Sequence, residues 1–289
     1  MKVVVTTPTG NIGSKIVKNL VVARIRPVVI ARDPAKIDAA YHPYLDIIQG
    51  DLLDGKSLAA ATKGADALFW LSPPLYGQSN PVGHYERLGQ AAVEAIQTEG
   101  IARVIHLSSV GGEHTSGIGL ISGLARNEVA LNTTSAAIRH LRAGFFFENF
   151  LMQLEAIKNG QYYTNVPLDH PTTFIATQDI ADHATGWLLQ SGWTDQEVRF
   201  VTGLNALTTR EAVAQVSEGL GRTITPIEIP DAAVRETLIA QGGHPDFADG
   251  YVEMINGLRS LPLELEYSPE TYGAISLAEW AFAHLRPLL

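Results

Sequence analysis

Thr7-Pro8-Thr9-Gly10-Asn11-Ile12-Gly13 is the first stretch of this 289-residue chain whose residue types and spacing carry a chemistry. It follows the apolar run Val3-Val4-Val5 and opens a helical pattern. Glycines in that position let backbone approach a pyrophosphate while the helix N-terminus presents N–H groups to it. An ordinary strand-to-helix turn would also use Gly10 for its conformation and Gly13 for packing, but the strand-turn-helix order favours the nucleotide reading. Thr6, Thr9, Gly10, Asn11 and Ile12 are the residues expected at the phosphates.

A second determinant belongs at the end of the second strand, where an acid would hold the ribose of NAD. Arg32 stands there, and Lys36 follows one helical turn later. A guanidinium pairs bidentately with a 2'-phosphate, so NADP is the better match and NAD the less favoured one. Asp33 competes, yet Asp33-Pro34 also fits a helix N-cap followed by proline at the first helical position.

Acid–base machinery is harder to find. A Tyr-x-x-x-Lys pair would place an ammonium one helical turn from a phenol and prepare it for proton transfer. None of the nine tyrosines has lysine four residues later. Nor does a His-Glu-x-x-His zinc pattern or a Gly-x-Ser-x-Gly nucleophile elbow occur, so no metal site and no catalytic residue is assigned. Ser108 and Ser109, after the fifth strand, suit either a hydrogen bond to ligand or a loop cap.

The elements that must position these residues read as α/β. Short β-branched runs at 2–6, 27–31, 45–49, 65–71, 103–107 and 136–141 alternate with helical patterns at 12–23, 34–40, 56–63, 82–99 and 118–132. That order predicts a doubly wound parallel sheet. Further on the pattern predicts a helix over 149–158, an extended 172–175 leading into a helix over 178–190, and a last strand over 198–202. Thr208-Thr209-Arg210-Glu211 has the spacing of a capping box, and the helix it opens ends at glycine 221. The remainder looks mainly helical. The expected division is a cofactor-binding part, 1–155 with 176–203, and a smaller helix-rich lobe, 156–175 with 204–289.

Composition agrees. With 46% hydrophobic residues the chain can bury a sizeable core, and the absence of cysteine excludes thiolate catalysis and cysteine-bound metal. A formal net charge of -9 argues against direct nucleic-acid binding. No segment reads as a signal peptide or a membrane span, and a cytoplasmic protein is expected.

Several phrases together resemble the NmrA-like group of atypical short-chain dehydrogenase/reductases, over nearly the whole chain. They are residues 7–13, Arg32-Asp33-Pro34, Gly50-Asp51-Leu52, Leu107-Ser108-Ser109, the run Arg142-Ala143-Gly144-Phe145-Phe146-Phe147-Glu148-Asn149, and Thr177-Gln178-Asp179-Ile180-Ala181. Two positions depart from the group: Thr7 stands where its loop starts with glycine, and Leu124 stands where lysine is frequent, four residues before Glu128.

The resemblance implies a Rossmann-type fold in which Asp51 and Leu52 border the adenine and Ser72 and Pro73 the ribose, with Ser108 nearby. Ala143, Gly144, Phe145 and Phe146 would approach the nicotinamide, and Asp179 would support a helix dipole. It further implies a pocket between the sheet's carboxyl edge and the small lobe, for which Tyr76, His84, Phe147, Tyr162 and Tyr163 are the candidate lining residues. The expected activity is NADPH-dependent hydride transfer to a small quinone- or dye-like acceptor, as in the group's quinone, azo-dye and triphenylmethane reductases. The alternative is a redox sensor that binds dinucleotide without turnover. A homodimer or a regulatory protein partner stays open.

Overall fold

Strand β1 (Val3–Thr6) is buried at every residue, as a strand covered on both faces must be. It passes through the glycine loop into α1 (Gly13–Val22), whose Ile16, Val17 and Leu20 form the buried stripe. The computed structural model describes residues 1–261 and 272–289.

Between β2 (Val28–Ala31) and β3 (Asp46–Gln49) the helix expected over 34–40 does not form. Two 3-10 turns, Pro34–Lys36 and Ala39–Tyr44, take its place. Each is opened by an aspartate, Asp33 or Asp38, whose carboxylate accepts the N–H two residues on. Extended backbone at Ile37 and a proline at position 43 stop either turn from propagating.

The alternation then runs through α2 (Gly55–Thr62), β4 (Ala67–Trp70), α3 (Pro81–Glu99), β5 (Arg103–Ser109), α4 (Ile121–Leu131) and β6 (Ala137–Ala143). β5 and β6 extend beyond their expected ends, which carries Ser108 and Ala143 to the carboxyl edge of the sheet. β7 (Phe145–Phe146) follows, and the helix expected over 149–158 is a 3-10 stretch, Phe147–Gln153, that becomes α5 (Leu154–Lys158).

Next come β8 (Gln161–Thr164), β9 (Pro171–Ile175), α6 (Thr177–Leu189), β10 (Gln196–Val201), β11 (Ala206–Thr208) and α7 (Thr209–Leu220). α7 starts on the Thr208/Glu211 capping box and ends on Gly221 at φ +66°, as its sequence signals require. Then follow β12 (Thr225–Glu228), α8 (Asp231–Ala240), α9 (Pro245–Ser260) and α10 (Leu277–Trp280), which runs on into a π-helical turn, Ala281–Leu285, and a 3-10 turn, Arg286–Leu288. β12 is a strand within a stretch that reads as helical. It is recruited by parallel pairing with β8.

Seven strands form one parallel sheet in the order β10-β6-β5-β4-β1-β2-β3. The winding reverses between β1 and β4, so the carboxyl ends of these two strands open a crevice. This is the Rossmann-type doubly wound sheet. Alternate residues feed two cores: Val3 and Val5 pack with Ile16, Leu20 and Ile180 on one face, and Val4 packs with Leu58, Leu88 and Ile96 on the other. Each such side chain contributes about 2 kcal/mol when fully removed from water. A third cluster, containing Phe147, Phe150, Tyr162, Val213 and Trp280, forms the core of the smaller helix-rich part with the sheets β11-β9-β7 and β12-β8.

Polar groups are sealed into this frame. His106 of β5 and His140 of β6 lie opposite each other in register with Nδ1 atoms 2.9 Å apart, and His140 Nε2 lies 2.9 Å from Asn132 Oδ1 at the end of α4. Asp179, in the first turn of α6, does more than favour the helix dipole. Its carboxylate accepts the N–H groups of Ala274 and Ile275 and so ties the C-terminal segment to the sheet half.

Candidate functional site

The glycine loop has a strained start. Thr7 adopts φ +50°, a conformation that is an outlier for a β-branched residue and that glycine would take without cost. Its carbonyl accepts the Gly10 N–H at 3.0 Å. A Cβ at position 13 would lie 2.2 Å from that oxygen, so only glycine lets α1 begin so close to β1. The residues expected at the phosphates divide here. Thr9, Gly10 and Asn11 are exposed, whereas Ile12 is 2% exposed and has only backbone to offer. No acceptor among the described residues binds the N–H groups of Asn11 and Ile12, which is the donor set an anion at a helix N-terminus requires. Thr6 is a correction: fully buried, its hydroxyl donates to the Phe69 carbonyl and accepts from the Leu71 N–H, so its side chain joins β1 to β4 and is unavailable to a ligand.

At the next strand end Arg32 and Lys36 are exposed, and neither has an ion-pair partner among the described residues. The Asp33 carboxylate caps Ala35 N, which resolves its competing role in favour of the cap. Asp51 forms a turn through the Leu53 N–H, and Leu52 is packed in the core. Gly50 is obligatory beside it, because a Cβ there would meet Ser57 Cβ at 2.1 Å. His84 belongs to this end of the crevice: burial lowers its pKa first, Arg87 and Arg32 lower it further, and Asp51 and the Pro73 carbonyl oppose them.

Beyond the sheet edge lies a cavity of about 380 Å³. The ends of β4, β5 and β6 form one side of it, through Ser72, Ser108 and the whole segment Ala143-Gly144-Phe145-Phe146. Gly144 allows β9 to approach, since a Cβ would lie 2.8 Å from the Thr173 carbonyl oxygen. Ser72 Oγ accepts from Trp70 Nε1 and Asn127 Nδ2. Ser108 Oγ donates to Glu128 Oε1 at 2.5 Å, and Arg142 holds the same carboxylate through Nε and Nη2 at 3.0 and 2.7 Å. Both charged side chains are nearly sealed, so this pair depends on its complete set of hydrogen bonds. One consequence is chemical: the Ser108 proton is committed to Glu128, and toward the cavity the hydroxyl presents lone pairs.

The roof is α9. Tyr251, Met254, Ile255 and Leu258 line the cavity from it at i, i+3, i+4 and i+7, and Tyr85, Leu120 and Leu124 line it from α3 and the start of α4. Glycines set its height. A Cβ on Gly119 would lie 2.0 Å from the Gly250 carbonyl oxygen, and one on Gly257 would lie 3.0 Å from the Gly117 carbonyl oxygen.

None of the five aromatic and histidine candidates for the acceptor pocket, Tyr76, His84, Phe147, Tyr162 and Tyr163, lines this cavity. Phe147 and Tyr162 pack in the core of the smaller part, Tyr162 4.7 Å from the Phe150 ring. Tyr163 donates to Gln161, Tyr76 donates to the Leu238 carbonyl, and His84 sits with Arg32 and Asp51. The stripe 251-254-255-258 was the missed signal: its helical spacing is legible, but a stripe alone does not distinguish a core face from a cavity roof.

Residues 8–144 match the family model described as NAD(P)H-binding. Those residues form an NAD(P)H-binding domain. The chain is 27% identical to the NAD(P)H azoreductase of Xenophilus azovorans, over 98% of this chain and 97% of that one. The NADPH complex of the NADPH-dependent quinone oxidoreductase of Escherichia coli superposes with a TM-score of 0.81 at 22% identity, covering 99% of each chain. The NADP(H) complex of the Citrobacter triphenylmethane reductase gives 0.79 at 18% identity, covering 99% of this chain and 100% of that one.

Proposed function

We propose that this NAD(P)H-dependent reductase takes NADPH as its donor and passes hydride to a quinone- or dye-like small molecule without a Tyr-x-x-x-Lys dyad. The observation that carries the reading is the cavity: apolar in most of its wall, it begins at Ala143–Phe146 and Ser108 and is closed above by α9. When bound, the nicotinamide supplies the hydride.

The chain's own residues do the rest. Asn11 and Ile12 N–H groups hold the pyrophosphate, with Thr9 and Gly10 at its flank. Arg32 takes the 2'-phosphate with Lys36 adding charge, and Asp51, Leu52 and Pro73 bound the adenosine. The lone pairs of Ser108 orient a carboxamide N–H, and Phe145 and Phe146 exclude water from the reacting face. In this reading residues 1–155 with 176–203 carry the cofactor, and 156–175 with 204–289 cover the acceptor; 262–271 lie outside the described residues.

Support comes from the azoreductase relative, which matches along almost its whole length. The test is single-turnover oxidation of protein-bound NADPH, followed by absorbance, with quinones, azo dyes and cationic dyes. Oxidation well above the protein-free rate is expected with at least one class. NADPH that binds and persists with all of them would instead make the protein a dinucleotide sensor.

A further inference from the structure

Two phenols, Tyr85 of α3 and Tyr251 of α9, line the cavity. Among the described residues neither hydroxyl has a hydrogen-bond partner, whereas Tyr76 and Tyr163 each donate to a carbonyl oxygen. Neither oxygen belongs to the sealed and unpartnered polar atoms of the interior. The Tyr85 ring is fixed against α4, where a Cβ on Gly123 would lie 2.7 Å from Tyr85 Cβ. Tyr251 is held on the roof stripe beside Met254. Burial raises the pKa of both phenols, so both carry their protons at neutral pH. Of the other polar groups on the wall, Ser108 is engaged by Glu128 and Arg259 by the Asn165 carbonyl and Asp231, while burial first and then Arg259 lower the pKa of His170 and so disfavour its protonated, donating form.

The two residues differ in exposure. Tyr85 is 6% exposed as a residue, while Tyr251 is only partly buried. Resting on the reductase reading above, we propose that Tyr251 is the proton donor to the hydride acceptor and that Tyr85 holds the acceptor by a hydrogen bond. With an azo compound the balance is complete. Hydride taken from the reduced nicotinamide, which is thereby oxidised, forms an N–H bond at one nitrogen and drives the N=N π pair onto the other. The Tyr251 O–H bond breaks as its proton joins that second nitrogen, giving a hydrazo product, and the phenolate regains a proton from water. A developing nitrogen anion is a far stronger base than a phenolate, so the transfer runs downhill. A triarylmethane cation accepts hydride at carbon and needs no proton at all.

That contrast supplies the test. For Tyr251→Phe, the ratio of azo-dye to triarylmethane-dye reduction in single turnover with NADPH is expected to fall at least about tenfold, the lower range of a lost general acid. For Tyr85→Phe, absorbance titration of the azo dye against the NADP+-loaded protein is expected to show binding weakened about fivefold, the effect of losing one neutral hydrogen bond. A ratio that moves less than about twofold in Tyr251→Phe, or dye binding unchanged in Tyr85→Phe, overturns the assignment. Should Tyr251→Phe fail to fold, the solvent isotope effect of the natural protein decides: a normal effect with the azo dye and none with the triarylmethane dye supports it, and no effect with either overturns it. Natural protein that reduces neither dye nor a quinone overturns the reductase reading itself, a result separate from activity whose dye ratio ignores Tyr251.

Discussion

Arg32 projects into solvent at the end of β2, and among the described residues no carboxylate pairs with it; Asp33 beside it caps Ala35 N. A free guanidinium at a nucleotide's ribose end distinguishes two cofactors by a single phosphate. Replacing Arg32 with alanine is expected to weaken NADPH binding by about tenfold to a hundredfold, the range of a charge-assisted hydrogen bond, with little change for NADH. Fluorescence titration with both nucleotides measures this, and equal losses would remove the NADP preference. The exposed position of Arg32 at a strand end was legible because it depends on neighbours in sequence. Thr6 was not, because its hydroxyl answers to Phe69 and Leu71, more than sixty residues away. The same holds for Phe147 and Tyr162: an aromatic near a motif reads alike whether it faces a ligand or Trp280, and only packing decides.

At the scale of elements, strands with continuous apolar runs and helices with clear stripes fell within a few residues of their expected bounds, since their burial is written in local periodicity. The segment 34–44 did not, because two aspartate caps and a proline outweigh its weak helical pattern. Nor did β12, whose partner β8 lies far back in the chain. Roof placement is likewise non-local. α9 rests on Gly119, where backbone at φ +49° touches the Gly250 carbonyl and Met254 N–H. A Gly119→Ala protein is expected to lose about 1–3 kcal/mol of stability. Because α9 must lift while the glycine loop is untouched, KM for the acceptor should rise severalfold with NADPH affinity preserved. Urea denaturation and steady-state kinetics check the two halves, and a parallel loss of NADPH affinity would contradict a roof that acts separately from the cofactor crevice.

The whole molecule carries an acid limit. His106 is held well below the usual histidine range by burial and by His140, and burial together with Arg142 lowers His140 to about 4. The unfolded chain therefore binds more protons than the native one as pH falls below about 6.5. Stability from the pair is full above that pH and is lost progressively as pH falls, the His140 share down to about pH 4. Glu148 adds to the loss lower still: burial raises its pKa, but hydrogen bonds from Thr177 and Lys15 outweigh this and leave it lowered, so its contribution disappears as pH drops through the carboxylate range. Denaturation midpoints measured from pH 7 to pH 4 should fall, and replacing both histidines with glutamine should flatten the slope between pH 6.5 and 4. An unchanged slope would place the acid limit elsewhere.

The histidine pair also has a direction. Asn132 Oδ1 can only accept, so His140 Nε2 keeps its hydrogen and its Nδ1 is a bare lone pair. His106 must then donate from Nδ1, which leaves its Nε2 without hydrogen or partner in the interior. Both tautomers are dictated by one amide at the end of a helix. The core thus holds a one-way row of dipoles running from β5 through β6 to α4, and it can reverse only if the Asn132 amide turns over.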